Sequence, residues 1–185
     1  MSKKNILFLV GSLRRESFNR QLADHTKALI GDRANVQYLD YTDVPFFDQD
    51  SETPAPAAVL HVRKEVEGAD ALWIFTPEYN FQIPGVEKNL LDWLSRPYTP
   101  GDFSSGTAVL DKPVTLSGAG GKGATASVRK HLDGLLTFMK MKLMKEHETG
   151  VAVPAQSWGS NVLELSAEDE AHLKEQVEAF LKFIQ

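Results

Sequence analysis

The sequence predicts an α/β fold, a parallel sheet wrapped on both faces by helices, and three observations predict it. Apolar runs at residues 5–10, 71–75 and 113–117 are nearly continuous instead of alternating, which is how strands buried on both faces read. Each run leads into a loop bearing Gly or Pro, and each loop into apolar residues at helical spacing. This strand-helix unit recurs about five times, and parallel neighbours need a crossover helix at every step.

Taken in order, the strand at 5–10 leads to a helix marked by Leu22, Ala23, Leu29 and Ile30. The turn signal Gly31-Asp32 separates that helix from a weaker strand at 35–40, NVQYLD. The polar stretch DVPFFDQDSETPAP reads as a surface loop before a helix over 55–67, and the strand at 71–75 follows. Pro84 opens a helix over 86–94, and RPYTPGDFSSGTAV is the loop before the strand at 113–117. Val128, Leu132, Leu135, Leu136 and Met139 then form one apolar helical stripe. A fifth strand is expected at 141–146, MKLMKE, before the closing stripe of Leu173, Val177, Phe180, Leu181 and Ile184.

Composition bounds what such a chain can do. At 185 residues, 42% of them hydrophobic, with no linker or repeat, it reads as a single domain over 1–185 that needs no staples. Cysteine is absent, which excludes disulfides, thiolate metal sites and cysteine nucleophiles. The apolar run after Lys3 and Lys4 is too short for a secretory core or a bilayer span, so the expectation is a cytoplasmic protein with no membrane partner. A net charge of -5 argues against broad nucleic-acid binding, although the local cluster RRESFNR can hold one anionic ligand. Asp48-Gln49-Asp50 lacks further ligands at metal spacing and reads as a solvated loop. His25, His61, His131, His147 and His172 show no paired spacing, and no Gly-x-Ser-x-Gly elbow occurs, so nothing points to hydrolysis.

The informative stretches follow the three strong strands. In doubly wound sheets ligands settle beyond the carboxyl ends of the strands, where the strand order reverses. After the first strand, GSLRRESFN offers a helix N-terminus with free N–H groups, Gly11 for close approach, Ser12, Ser17 and Asn19 as neutral donors, and Arg14 or Arg15 as a forked cation. That set suits a phosphate, whereas the plainer reading has Ser17 or Asn19 capping the helix and the arginines solvated. In the flavodoxin-like order 2-1-3-4-5 the exit of the third strand, TPEYNFQIPGVEKNLLDWLSRP, faces this loop across the crevice. Pro77 and Pro84 stiffen it and leave the backbone N–H groups at 78–80 as donors for a planar heterocycle. Leu90, Leu91, Trp93 and Leu94 leave the next helix with more than one apolar face, a sign of burial against another subunit. The third exit, SGAGGKGAT, contains Gly118-x-Gly120-x-x-Gly123, but the chain beyond Glu146 is too short for a dinucleotide fold. Lys122 is followed by Gly123, not Ser or Thr, so the P-loop pattern fails too.

Together these three motifs resemble the NADPH-dependent FMN reductase family, which includes quinone, azo-dye and chromate reductases, over essentially the whole chain. The resemblance implies a flavodoxin-like three-layer sandwich with a five-stranded parallel sheet of order 2-1-3-4-5. It assigns Ser12, Arg14, Ser17, Phe18 and Asn19 to the FMN phosphate. It assigns Pro77, Glu78, Tyr79 and Asn80 to the isoalloxazine ring, and Ser117, Gly118 and Gly120 to the ring's other edge. It further implies NADPH or NADH as electron donor, a small oxidised acceptor, no catalytic side chain beyond the cofactor, and a homodimer or homotetramer. A flavodoxin-type electron carrier serving a protein partner is the rival reading; such carriers use a Thr/Ser-rich phosphate loop and a strongly acidic face, unlike this chain. Departures from the family pattern are Phe81 and Gln82 after PEYN, and Glu87 where leucine is typical before Lys88-Asn89.

Overall fold

The computed structural model describes residues 3–185. Five strand positions form one parallel sheet: β1 (Lys4–Val10), β2 (Ala34–Tyr38), β3 (Ala71–Phe75), β4 (Pro113–Gly120) and a fifth position filled by two pieces, β5 (Lys142–Leu143) and β6 (Thr149–Ala152). The order is β2-β1-β3-β4-β5, with β6 also beside β4. β5 lies along Pro113 and Val114, and β6 along the stretch from Ser117 to Gly120. The single strand expected at 141–146 is therefore corrected to a two-residue strand, a loop over residues 144–148 and a second strand. His147 adopts a φ of +66° and cannot continue an extended chain, and Glu148 is drawn toward Arg129, so the ladder resumes only at Thr149.

The helices are α1 (Phe18–Ile30), α2 (Ala57–Gly68), α3 (Gly85–Leu94), α4 (Ala126–Phe138), α5 (Ala155–Ser160) and α6 (Ala167–Phe183). They cover the two sheet faces because successive strand residues point to opposite sides. Leu7 and Leu9 pack with Val62, Leu91, Val128 and Leu132 in one core. Ile6 and Phe8 pack with Leu22, Trp73 and Phe180 in the other. Three layers follow: α2, α3 and α4 on one face, the sheet, then α1 and α6. Ser166 and Asp169 close a reciprocal capping box at the start of α6. The short helix α5, entered at Pro154 and left through Asn161 in the left-handed region at φ +60°, was not expected.

The apolar excess of α3 has an internal explanation. Leu90, Leu91, Trp93 and Leu94 are all fully buried within the chain. The loop after β2 lies across the helix, where Trp93 Nε1 donates to the Pro45 carbonyl at 2.8 Å and its ring meets Phe47 edge-on at 4.9 Å. This side of α3 therefore does not call for a second subunit. No helix among the described residues is long and apolar enough to cross a membrane.

Candidate cofactor site

The parallel pairing of β1, β3 and β4 brings the three strand exits side by side. Val10 is in register with Phe75, and Phe75 with Ser117. Gly11 N–H then donates to the Phe75 carbonyl at 2.8 Å and Thr76 N–H to the Ser117 carbonyl at 2.9 Å, so pairing continues into the loops. What the loops offer is decided by which of their polar groups the fold has already used.

In the β1 loop the side chains of three expected residues are engaged internally. Ser17, nearly buried, caps α1 by accepting from Arg20 N–H at 3.3 Å. Phe18 is buried with its ring edge-on to Trp158 at 5.1 Å. Asn19 is buried and its amide brackets one residue of β4, donating to the Ala119 carbonyl at 2.9 Å and accepting from Ala119 N–H at 2.8 Å. For these three the capping and packing reading holds for the side chains. What remains available is backbone: the N–H groups of Phe18 and Asn19 belong to the first helical turn, which has no intrahelical acceptor, and they gather the positive end of the α1 dipole. Arg14 is exposed but fixed, donating to the Glu16 carbonyl at 2.6 Å and to Asn161 Oδ1 at 2.9 Å, with its guanidinium 4.9 Å from the Phe18 ring centroid. Ser12 and Arg15 line an open cleft of about 530 Å³ between the exits of β1 and β2, beside Arg14 and Arg20.

The β3 loop begins with buried Thr76 and Pro77 and turns at the surface. Tyr79 and Gln82 exchange two backbone bonds of 3.3 and 3.0 Å across a tight turn with Asn80 and Phe81 at φ +53° and +62°. The Tyr79 N–H is thus spent within the turn and is not one of the free donors expected there. Tyr79 and Phe81 expose their rings, 51% and 70%. Glu78 reaches sideways to the β4 exit, where its Oε2 accepts from Val128 N–H at 3.0 Å in the first turn of α4. It locks two of the three loops together.

The β4 residues behave differently from the expectation. Ser117 is fully buried, accepting from Trp73 Nε1 at 3.0 Å and donating to Gln176 Oε1 at 2.9 Å, so its hydroxyl serves the core and has no face toward a ligand. Gly118 and Gly120 are inner strand residues whose missing side chains make room for the returning loop. A Cβ on Gly118 would come within 2.6 Å of the Thr76 carbonyl, and one on Gly120 within 2.9 Å of Thr125 Cγ2. Open space above the third exit begins at Gly121, where a Cβ would meet nothing within 4 Å.

Sequence reasoning passed over Thr76, Tyr41 and Asn161 and treated Glu87 only as a departure. Glu87 is fully buried beneath Gly11, with Oε2 at 2.8 Å from Thr76 Oγ1, and burial pushes its carboxyl up to about 8. Tyr41 donates to the Val10 carbonyl at 2.6 Å, and its phenol is raised by burial first and by Glu87 second. Tyr41 sits among Asp40, Thr42 and Asp43 and gave no sign of its burial, and the one signal at position 87 was an acidic residue where leucine is typical.

Free N–H groups at a helix N-terminus, exposed arginines and a tight turn with exposed Tyr79 and Phe81 thus lie at the strand exits of a flavodoxin-like α/β protein. The chain belongs to the NADPH-dependent FMN reductase family, whose profile matches residues 4–154. It is 35% identical over 144 residues to a 2-hydroxy-1,4-benzoquinone reductase of a Burkholderia species, covering 77% of this chain and 75% of that one. It is 33% identical over a 192-residue alignment to a quinone reductase of Escherichia coli, covering 100% and 98%. The structure of the flavoenzyme NAD(P)H:(acceptor) oxidoreductase FerB from Paracoccus denitrificans superposes with a TM-score of 0.85 at 28% identity, over 98% of this chain and 97% of that one. As a member of this family the chain is an FMN-dependent oxidoreductase.

Proposed function

We propose that the chain carries two electrons from NADPH or NADH through one bound FMN to a small oxidised acceptor, a quinone foremost, with azo compounds, chromate or free flavin as alternatives, in ping-pong order. The observation that carries this reading is the crevice between the β1 and β3 exits. There the unpartnered N–H groups of Phe18 and Asn19 and the Arg14 guanidinium suit a phosphate by charge and donor type, and the Tyr79–Gln82 turn gives a rigid edge for a planar ring. The donor set therefore fits FMN, which when bound supplies the electron-transfer chemistry. The quinone assignment draws on relatives that are themselves quinone reductases.

The chain's own residues act by holding and orienting. The first turn of α1 and the arginine fork fix the phosphate end, and the Ser17 cap keeps that turn wound. Asn19 ties the turn to β4, and Glu78 ties the β3 loop to α4, so the loops around the crevice move as one body. Tyr79 and Phe81 stand at its mouth, where an aromatic wall can order a flat nicotinamide or quinone. Initial rates measured with FMN-loaded protein over a matrix of NADPH and benzoquinone concentrations should give parallel double-reciprocal lines. Converging lines, or a rate independent of FMN, would overturn the proposal.

A further inference from the structure

Glu87 lies in the first turn of α3, is 0% exposed and points back beneath the strand ends. Its Oε2 occupies the place a Cβ of residue 11 would take, directly under the first residue of the anion loop. Its Oε1 has no hydrogen-bond partner. The groups on the elements around it are Arg14 and Arg15 on the β1 loop, Asp40, Tyr41 and Asp43 after β2, Glu78 and Tyr79 on the β3 loop, and Lys88 and Asp92 on α3 itself. None of them forms an ion pair with it: Lys88 is turned to Asp92 at 2.6 Å, Arg14 to Glu16 and Asn161, and Glu78 to Val128.

Thr76 Oγ1 is 2.8 Å from Glu87 Oε2 and 3.1 Å from the Pro77 carbonyl, yet a hydroxyl has one proton to donate. If Glu87 is a carboxylic acid, Oε2–H donates to Thr76 and Thr76 donates to Pro77, and both contacts are satisfied in series. If Glu87 is a carboxylate, Thr76 must turn to it and the Pro77 carbonyl loses its partner. The geometry therefore favours the acid, as does burial without a counter-ion.

We propose that Glu87 is a proton-binding positioning residue under the cofactor cradle, whose bound proton sets the Glu87–Thr76–Pro77 hydrogen bonds in the β3 loop and which, in mildly alkaline solution where it is partly ionised, takes up the missing fraction of that proton from bulk water as the FMN phosphate enters the β1 loop. This rests on the FMN reading. Two negative charges brought into the β1 loop, which begins at Gly11 directly over Glu87, disfavour a third beneath it, so by linkage phosphate binding tightens the proton and the proton tightens phosphate binding. Only a proton is transferred and no bond to carbon changes.

The test is calorimetric titration of FMN into the protein near pH 8.5, in buffers of different ionisation enthalpy, with riboflavin as the phosphate-free control. The wild type should take up several tenths of a proton per FMN, and its FMN affinity should fall several-fold from about pH 7.5 to about 9. Glu87→Gln, and Glu87→Leu should the amide pack poorly, should take up none and lose that fall, and riboflavin should take up less proton than FMN in the wild type and bind independently of pH in both variants. FMN binding with no proton uptake, the same uptake without Glu87, or equal uptake with riboflavin would each overturn the inference while leaving FMN binding intact. Infrared titration of the ligand-free protein reads Glu87 directly: a protonated-carboxyl band persisting at neutral pH and missing in Glu87→Gln is expected. An unchanged band overturns the inference whether or not FMN binds.

Discussion

Replacing Asn19 with alanine tests how the cradle is held. The β3–β4 ladder ends at Phe75 and Ser117, while β4 runs on beside β6, so the backbone groups of Ala119 that face the β3 side have outrun their strand. The Asn19 amide supplies the missing partner with bonds of 2.9 and 2.8 Å from a buried position. Alanine leaves both Ala119 groups buried and unpaired; at about 1–3 kcal/mol for each, the loss is about 2–6 kcal/mol. For a chain of this size, at about 2–4 °C per kcal/mol, that lowers Tm by roughly 4–24 °C. Urea unfolding should show the loss as a shift in midpoint with little change in slope. Asn19→Asp keeps the acceptor for Ala119 N–H but sets a carboxylate against the Ala119 carbonyl, so it should be destabilised as well, more so as pH rises above the carboxylate range. Because the same turn presents the N–H groups of Phe18 and Asn19, FMN affinity should weaken in both variants. A loss below about 0.5 kcal/mol for Asn19→Ala would refute the reasoning, since that is within the range of an ordinary surface substitution.

Arg14→Ala should weaken FMN binding about ten- to a hundredfold by removing a charge-assisted bond, with riboflavin hardly affected; equal losses for the two ligands in fluorescence titration would reassign Arg14 to its contacts with Phe18 and Asn161. Glu87, raised from 4.5 to about 8 in the folded chain, holds a proton that the unfolded chain gives up. Its contribution is complete below its unfolded value and is lost as pH rises toward its folded one, at roughly 1.4 kcal/mol per pH unit. Glu148 is raised in the same sense by burial and by Asp133, so the quantity to plot is the stability of wild type minus that of Glu87→Gln, which should fall over this window and then level off. A pH-independent difference contradicts the assignment. Gly120→Ala should cost about 1–3 kcal/mol by overpacking and be largely rescued by Thr125→Ser, which removes the methyl it meets, whereas Gly118→Ala should resist that rescue because the Thr76 backbone is also in the way. Chemical denaturation of the four variants checks both statements.

Most of the fold was legible because its strands are buried on both sides and its helices carry apolar stripes, signals that local sequence preserves. The fifth strand was half legible: the periodic run at 141–146 could not reveal that His147 turns the chain at positive φ or that Thr149–Ala152 re-enters beside β4. α5 has too few residues for periodicity to register. At the site, sequence reasoning located the three exits but not which polar atoms were free. Ser17, Asn19 and Ser117 look alike as donors in a motif, and only packing shows that their side chains face a helix turn, a strand end and the core. The apolar faces of α3 misled because the loop that covers Trp93 comes from a polar, Pro-rich stretch with no pattern of its own. Glu87 stood out by residue type, yet its meaning depends on Thr76 and Gly11, which only the β1–β3 pairing brings to it.

The central claim, that the crevice between the β1 and β3 exits is an FMN site, is tested most directly by titrating FMN into flavin-free protein and following the loss of flavin fluorescence. Saturation at about one FMN per chain, weakened by substitution of Arg14 and by high salt as a phosphate contact requires, is the predicted result. A protein that stays colourless and leaves the fluorescence of added FMN unchanged would contradict the account.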